Sequence, residues 1–142
     1  FLFSLLVGGV FYTNTSAVQA EAATNISGEK LVYQGKFHNA DKRGSGKASV
    51  YEKSDGARVL RLTNFSTSSG PDLFVYVYKT KDARNSRSLR NVEYISLGRL
   101  KSQRGTQEYK IPAGVDLNSF RAISIWCKEF GVNFATAPLS KV

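Results

Sequence analysis

The chain has 142 residues, with 20 Lys and Arg against 11 Asp and Glu, one His and a formal net charge of +9. Its hydrophobic content of 42% is enough for a packed core and excludes a highly charged, disordered chain. The single cysteine excludes an internal disulfide. The lone His38 and the lone Cys127 do not form a cluster with metal-ligand spacing, so no metal site is expected.

Residues 1–20 differ from the rest of the chain. Residues 1–12 form an apolar run, shorter than the about 20 residues that a helix needs to span a bilayer. Val18-Gln19-Ala20 fits the small-residue rule for signal peptidase. We expect residues 1–20 to be the remnant of a signal peptide, or alternatively an uncleaved N-terminal anchor. A tether over 21–28 and a single domain over 29–142 would follow. Either way the domain is expected to be extracytoplasmic: secreted, periplasmic, lumenal, or surface-anchored and close to a membrane.

Short strand-like runs separated by turn residues fill the chain after the tether. They lie at 30–38, 46–53, 57–65, 72–79, 92–98, 106–112, 120–127 and 132–139. A helical period of 3.6 residues is absent, except for a short piece within 80–90. The spacing predicts an all-β sandwich or flattened barrel of about eight mostly antiparallel strands with little helix.

Cys127 and Trp126 are the only cysteine and the only tryptophan, and they are adjacent in the run 120–127. Successive side chains of a strand point to opposite faces, so Cys127 shares a face with Ile123 and Ile125. That face is predicted to be the core face. We expect Cys127 to be half-buried at the end of the strand, before a hairpin turn over 128–131, and Trp126 to lie outward or against a covering loop.

The stretch 79–90 is basic and allows two interpretations. Its cations, set against one Asp82, are Lys79, Lys81, Arg84, Arg87 and Arg90. It is either a solvated loop that keeps the protein soluble or a surface that binds an anionic partner. Lys101 and Arg104 would add to the same patch if the fold brings the loops together. Aromatic residues are not interleaved with these charges, so no nucleic-acid partner is expected.

Four segments of the chain resemble the DM-thirteen domain family. They are "GKFHNADKRGSGKASVYE" (35–52), "VLRLTNFSTSSGPDLFVYVY" (59–78), "YISLGRLKSQRGTQEYKIPAGVDLNSF" (94–120) and "ISIWCKEFGVNFATAPL" (123–139). The motifs Gly-Pro-Asp-Leu, Leu-Gly-x-Leu-Lys and Trp-Cys-x-x-Phe occur in the order of that family. Its domain is found with DOMON modules in Skeletor-type proteins and alone in exported bacterial proteins.

The resemblance implies an all-β domain with a proposed role in electron transfer, based on the cysteine of the Trp-Cys motif. Here that residue is Cys127, acting as a bare redox thiol or, with Trp126, binding a prosthetic group such as haem. A bare redox thiol needs some solvent access. A Cys-x-x-Cys-His motif is absent, so covalent c-type haem is not expected. The electron partner is expected to be a separate redox protein.

Three classes of function follow. The first is an extracytoplasmic redox module that uses Cys127. The second is a non-catalytic adhesive or scaffold domain that binds an anionic partner through its basic loop, with Cys127 only structural. The third is an enzyme, which lacks support because the sequence shows no acid–base constellation. The family resemblance favours the redox module, without enzymatic turnover of its own.

Overall fold

A computed structural model describes residues 28–142; the predicted signal segment 1–20 and the tether up to residue 27 lie outside the described residues. The described residues form ten strands: β1 (Glu29–Lys36), β2 (His38–Asn39), β3 (Gly44–Lys53), β4 (Arg58–Thr67), β5 (Leu73–Tyr78), β6 (Tyr94–Arg99), β7 (Gln107–Ile111), β8 (Ala122–Cys127), β9 (Val132–Pro138) and β10 (Ser140–Lys141). Each of the eight predicted runs contains a strand. The predicted helical piece is a single 3₁₀ turn over Arg87–Leu89.

The strands form two five-stranded antiparallel sheets that are not closed into a barrel. The first sheet has the order β10-β1-β3-β4-β7, and the second has the order β2-β9-β8-β5-β6. Of the two predicted architectures, the structure therefore has the sandwich. No helix within residues 28–142 is long and apolar enough to cross a membrane.

The chain changes sheets twice at one corner of the sandwich. Phe37 lies between β1 in the first sheet and β2 in the second, and Leu139 lies between β9 in the second sheet and β10 in the first. Both side chains are buried. Gly35 comes so close to this corner that an added Cβ would be 2.1 Å from the carbonyl oxygen of Pro138. A glycine is therefore required where β1 meets the end of β9.

The main core lies between the sheets and contains the inward-facing residues of both. Val50, Leu60 and Leu62 from the first sheet pack with Val75 and Ile125 from the second. A second apolar cluster lies on the outer face of the second sheet. It exists because the connection between β5 and β6 folds back over that face. This covered outer face is where the candidate site lies.

Candidate functional site

Cys127 is the last residue of β8 and lies inside the main core. It pairs with Leu73 on β5 and with Val132 on β9, and the hairpin after it is closed by the Gly131 N–H bonded to the Cys127 carbonyl at 2.9 Å. The inward direction and the hairpin predicted from the sequence are confirmed. The predicted half-burial is wrong, because Cys127 has 0% exposure.

The segment Pro71–Asp72 covers the sulfur. The Cys127 thiol donates a hydrogen bond to the Pro71 carbonyl oxygen at 3.0 Å. Asp72 has a φ of 60°, a left-handed conformation that is strained for a residue other than glycine. Two contacts hold it there: its carbonyl accepts a hydrogen bond from Lys128 N at 3.1 Å, and its carboxylate is 2.8 Å from Arg99 Nη1. A thiol reagent can reach Cys127 only if this segment opens.

Trp126 lies on the opposite face of β8 and belongs to a cluster of aromatic rings. We use the name ring cluster for Tyr76, Tyr78, Tyr94 and Trp126. The centroid of Trp126 is 6.3 Å from that of Tyr76 and 5.9 Å from that of Tyr78. Tyr94 stacks on Tyr76 at 4.5 Å and lies 5.3 Å from Tyr78. The rings are therefore in contact from the residue next to Cys127 to Tyr94.

The strand register explains how these rings meet. Tyr76 and Tyr78 are two residues apart on β5 and so share its outer face. Tyr78 pairs with Tyr94 on β6. Tyr76 and Tyr78 are buried, whereas Tyr94 is 50% exposed. The ring cluster thus connects the covered face of the sheet to solvent.

The buried phenols of the ring cluster keep their protons. Burial, followed by the neighbouring Tyr94 and Asp72, raises the pKa of Tyr76 above its ordinary value. Burial also raises the pKa of Tyr78, and Tyr94 and Tyr76 add to this effect. Both rings are therefore neutral in the physiological range, as is usual for a phenol removed from water.

The segment 79–93, which we call the basic strap, covers this face of the second sheet. Ala83 and Leu89 are buried against Tyr76 and Tyr78. Trp126 was predicted to lie outward or against a covering loop. The structure shows the second position, because the tryptophan packs against this covered cluster.

Polar contacts fix the basic strap to the sheet. Asp82 accepts a hydrogen bond from His38 Nε2 at 2.6 Å. Ser86 donates to the Asp41 carboxylate and accepts from Asn133 N at 2.8 Å. Asn133 is fully buried and bonds Ser124 and Thr136 under the strap. The strap is therefore a packed layer and not a freely solvated loop.

The five predicted partner-binding cations are all exposed on the basic strap; they are Lys79, Lys81, Arg84, Arg87 and Arg90. Lys79 and Arg84 make long ion pairs of 3.5 Å with Glu93 and Asp82. Within residues 28–142, no carboxylate lies within ion-pair distance of the other three. Arg104, which the sequence could have added to this patch, lies instead beside Arg43, at the end of β4.

The residues around Cys127 do not fit a haem or a metal ion. Its side chain has no exposed surface, packs in the core and is hydrogen-bonded to the Pro71 carbonyl, which leaves no room beside it for a prosthetic group. Residues 28–142 contain no group of three His, Cys, Asp or Glu side chains that could hold a metal. His38 pairs with Thr136 and Cys127 with Val132, so the two are separated along the β8–β9 hairpin.

Tyr76, Tyr78 and Tyr94 belong to the site but were not predicted from the sequence. The available signal was the alternation "FVYVY" on one strand, which places both tyrosines on one face, opposite to the core valines. Their meeting with Trp126 depends on the order of the strands in the sheet, which no local pattern reveals.

Comparison with known proteins gives one match. The family model described as Electron transfer DM13 matches residues 36–139. No curated protein and no solved structure matches the chain. The matched range includes Cys127, the ring cluster and the basic strap.

Proposed function

Because the chain belongs to the Electron transfer DM13 family, which suggests a redox-related role with some redox partner, we propose that it is an extracytoplasmic electron-transfer module with Cys127 as its redox group. The observation that carries this proposal is the ring cluster, which runs from Trp126, the chain neighbour of Cys127, to the half-exposed Tyr94. The complete burial of Cys127 excludes direct contact with a partner in the closed state. An electron, unlike a thiol reagent, can leave without such contact.

The proposed step is a one-electron oxidation of the thiol. Cys127–SH loses one electron and one proton and becomes a thiyl radical. The electron passes through Trp126 and Tyr76 to Tyr94, and from there to a strongly oxidising one-electron acceptor of a partner protein. The proton is released to water past the Pro71 carbonyl, which accepts the thiol hydrogen bond at an exposed residue. The reverse transfer restores the thiol.

The basic strap supplies the docking surface in this proposal. It packs on the ring cluster and ends at residue 93, next to Tyr94. Its exposed cations would attract an acidic partner and orient it beside Tyr94, because charge complementarity raises association rates and fixes orientation. The chain's net charge of +9 favours the same approach. We therefore assign Lys79, Lys81, Arg84, Arg87 and Arg90 to partner binding.

The extracytoplasmic location is part of the proposal. It is supported by the apolar run over residues 1–12 and by Val18-Gln19-Ala20, which fits a signal-peptidase site. A fusion of residues 1–142, preceded by Met-Lys-Lys for translation, to a reporter active only outside the cytoplasm tests it. An inactive reporter would contradict the location.

Radical transfer tests the proposed route. Azide radicals made by pulse radiolysis remove one electron from exposed rings, and absorbance then follows the tyrosyl and tryptophanyl radicals. We expect the ring radical of the parent protein to decay with the loss of one thiol per electron removed. In Cys127→Ser the radical should persist on the rings. In Trp126→Phe the radical should decay more slowly than in the parent protein. Tyr51→Phe, which changes a tyrosine of the first sheet, is the matched control. Equal radical lifetimes in the parent and in Cys127→Ser would contradict the redox role of Cys127.

A second candidate function is a scaffold domain that binds an anionic partner through the basic strap, with Cys127 only structural. The complete burial of the thiol favours it. The pulse-radiolysis experiment distinguishes the two functions. A scaffold domain does not require that radicals on the rings oxidise Cys127.

A further inference from the structure

A separate cleft of about 380 Å³ lies at the end of β4, in contact with the segment before β3 and the loop before β7. We call it the arginine cleft. Its main lining residues are Asn39, Arg43, Ser45, Ser66, Ser68 and Arg104. None of them belongs to the basic strap or to the ring cluster. The volume is in the range of ordinary small-molecule sites, about 300–1,000 Å³.

Main-chain hydrogen bonds fix the two arginines on opposite sides of one strand end. On one side, the Arg43 carbonyl accepts from Ser68 N at 3.1 Å, and Arg43 N donates to Ser68 Oγ at 3.2 Å. On the other side, Arg104 forms an antiparallel bridge with Ser66. The backbone of both arginines is therefore tied to residues 66–68, which also line the cleft.

The arginine cleft offers hydrogen-bond donors and no negative charge. No carboxylate lines it, and within residues 28–142 none lies within ion-pair distance of Arg43 or Arg104. Asn39 Oδ1 is occupied by the Gly44 N–H at 3.0 Å, which leaves the Asn39 amide N–H groups for a ligand. Ser68 Oγ accepts from Arg43 N, so its own hydrogen remains available.

The cleft beside the strap differs in this respect. Arg87 and Arg90 share it with the carboxylate of Asp41, which repels an anion. The lining of the arginine cleft combines two arginines with neutral donors and contains no carboxylate.

We propose that the arginine cleft binds a phosphate or sulfate ester carried by a small polar group about the size of a sugar. A guanidinium group can donate two parallel hydrogen bonds to the oxygens of such a tetrahedral anion. Two arginines match the roughly −1.5 to −2 charge of a phosphate monoester and exceed the single charge of a sulfate ester. The hydroxyl and amide donors suit the polar remainder of the ligand. A lipid surface is the less suitable alternative, because the lining has no exposed aromatic or large aliphatic side chain to insert.

Calorimetric or NMR titration of the folded protein tests the proposal, with glucose 6-phosphate, glucose 6-sulfate, inorganic phosphate and glucose as probes. We expect at least one ester to bind more tightly than inorganic phosphate, and glucose not to bind. The double variant Arg43→Gln/Arg104→Gln should lose affinity on the order of tenfold or more, because charge-assisted hydrogen bonds are lost. Comparison of the affinities for glucose 6-phosphate and glucose 6-sulfate identifies the preferred anion.

The matched control is Lys53→Gln/Lys110→Gln, which removes the same charge from exposed positions of the first sheet away from the cleft. It should bind within about twofold of the parent, as expected for screened, distant charges. Equal losses in the two double variants, or no binding of any ester by the parent, would overturn the proposal. Binding only to vesicles of anionic phospholipid, lost in the arginine variant, would overturn it in favour of a membrane surface.

Discussion

Trp126 and Cys127 are neighbours in the chain, but they lie in two different layers of the protein. Strand alternation was enough to place Cys127 inward, because it shares a face with Ile123 and Ile125. Its depth could not be predicted, because the carbonyl above it belongs to Pro71, on a loop far away in the sequence. The position of Trp126 could be predicted only as two alternatives, since its cover also comes from a distant segment.

Cys127→Ser tests the burial of the thiol. The smaller serine keeps a donor for the Pro71 carbonyl but loses packing in a closed core, so we expect the free energy of unfolding to fall by about 1 kcal/mol. Urea unfolding measures this change. Cys127→Ala, which also removes the donor, should be less stable than Cys127→Ser.

The parent thiol should react with thiol reagents only at the rate of opening or unfolding, because it has no exposure in the folded state. Protein purified from its native host should show no visible absorption band, since the residues around Cys127 do not fit a haem. Rapid labelling of the folded protein, or a visible band that is absent from Cys127→Ser, would contradict this description of the site.

Gly35→Ala tests the corner where the chain changes sheets. The added Cβ would lie 2.1 Å from the Pro138 carbonyl oxygen, and this atom is backbone and cannot rotate away. We expect a loss of about 3 kcal/mol in the free energy of unfolding, at the upper end of typical overpacking costs. Gly28→Ala, where an added Cβ meets open space, is the comparison, although its φ of 66° adds a smaller strain. Similar stability of the two variants would contradict the close approach.

At the scale of elements, the basic strap joins the two functional features that the sequence suggested separately. The basic run 79–90 and the residue Trp126 were each recognised from composition. Their contact depends on Ala83 and Leu89, two apolar residues in a polar segment, which pack onto β5 and β8. Two apolar positions in a charged run are too weak a pattern to predict docking on a particular face.

The triple variant Arg84→Gln/Arg87→Gln/Arg90→Gln tests whether the basic strap binds anionic partners. Exposed charges are screened over about 10 Å at 0.1 M salt, so the parent protein should elute from a cation-exchange column only at raised salt. The variant should elute at lower salt with a nearly unchanged melting temperature, because these side chains are exposed.

The control for that experiment is Lys47→Gln/Lys53→Gln/Lys110→Gln, which removes three exposed cations from the first sheet. If its elution shifts as far as that of the arginine variant, the column responds to net charge and the strap is not a specific surface.

At the scale of the whole molecule, the eight predicted runs and the all-β class are confirmed, whereas the order of the strands could not be predicted. Turn residues such as Gly131 show where adjacent strands form a hairpin, as β8 and β9 do. The neighbour of β8 on its other side is β5, separated from it by two strands of the chain. The ring cluster depends on this pairing. The domain limits 29–142 remain a prediction.

The alkaline stability of the molecule follows from its buried tyrosines. Burial raises the pKa of Tyr76, Tyr78 and Tyr109 in the folded protein. The unfolded chain loses these phenol protons near its ordinary pKa of about 10, before the folded protein does. The contribution of these three phenols to the free energy of unfolding should therefore be constant below about pH 10 and should fall as the pH rises above it.

Urea unfolding between pH 8 and pH 11, roughly bracketing the ordinary tyrosine pKa, measures this fall. Tyr78→Phe removes one of the groups and should make the decrease shallower. The stability of the same variant at pH 8 provides its reference, so that altered packing is not mistaken for altered ionisation. A decrease of equal steepness in parent and variant would contradict the assignment.

The two-residue strands at the margins have a consequence for how copies of this protein meet. β10 and β2 each end one sheet, and each is too short to offer a second molecule a ladder of free backbone groups. Behind β10, the much longer β1 pairs with it through Tyr33 and Gln34. The β10 edge of the first sheet should therefore not pair with a second copy for as long as residues 140–141 stay attached to β1.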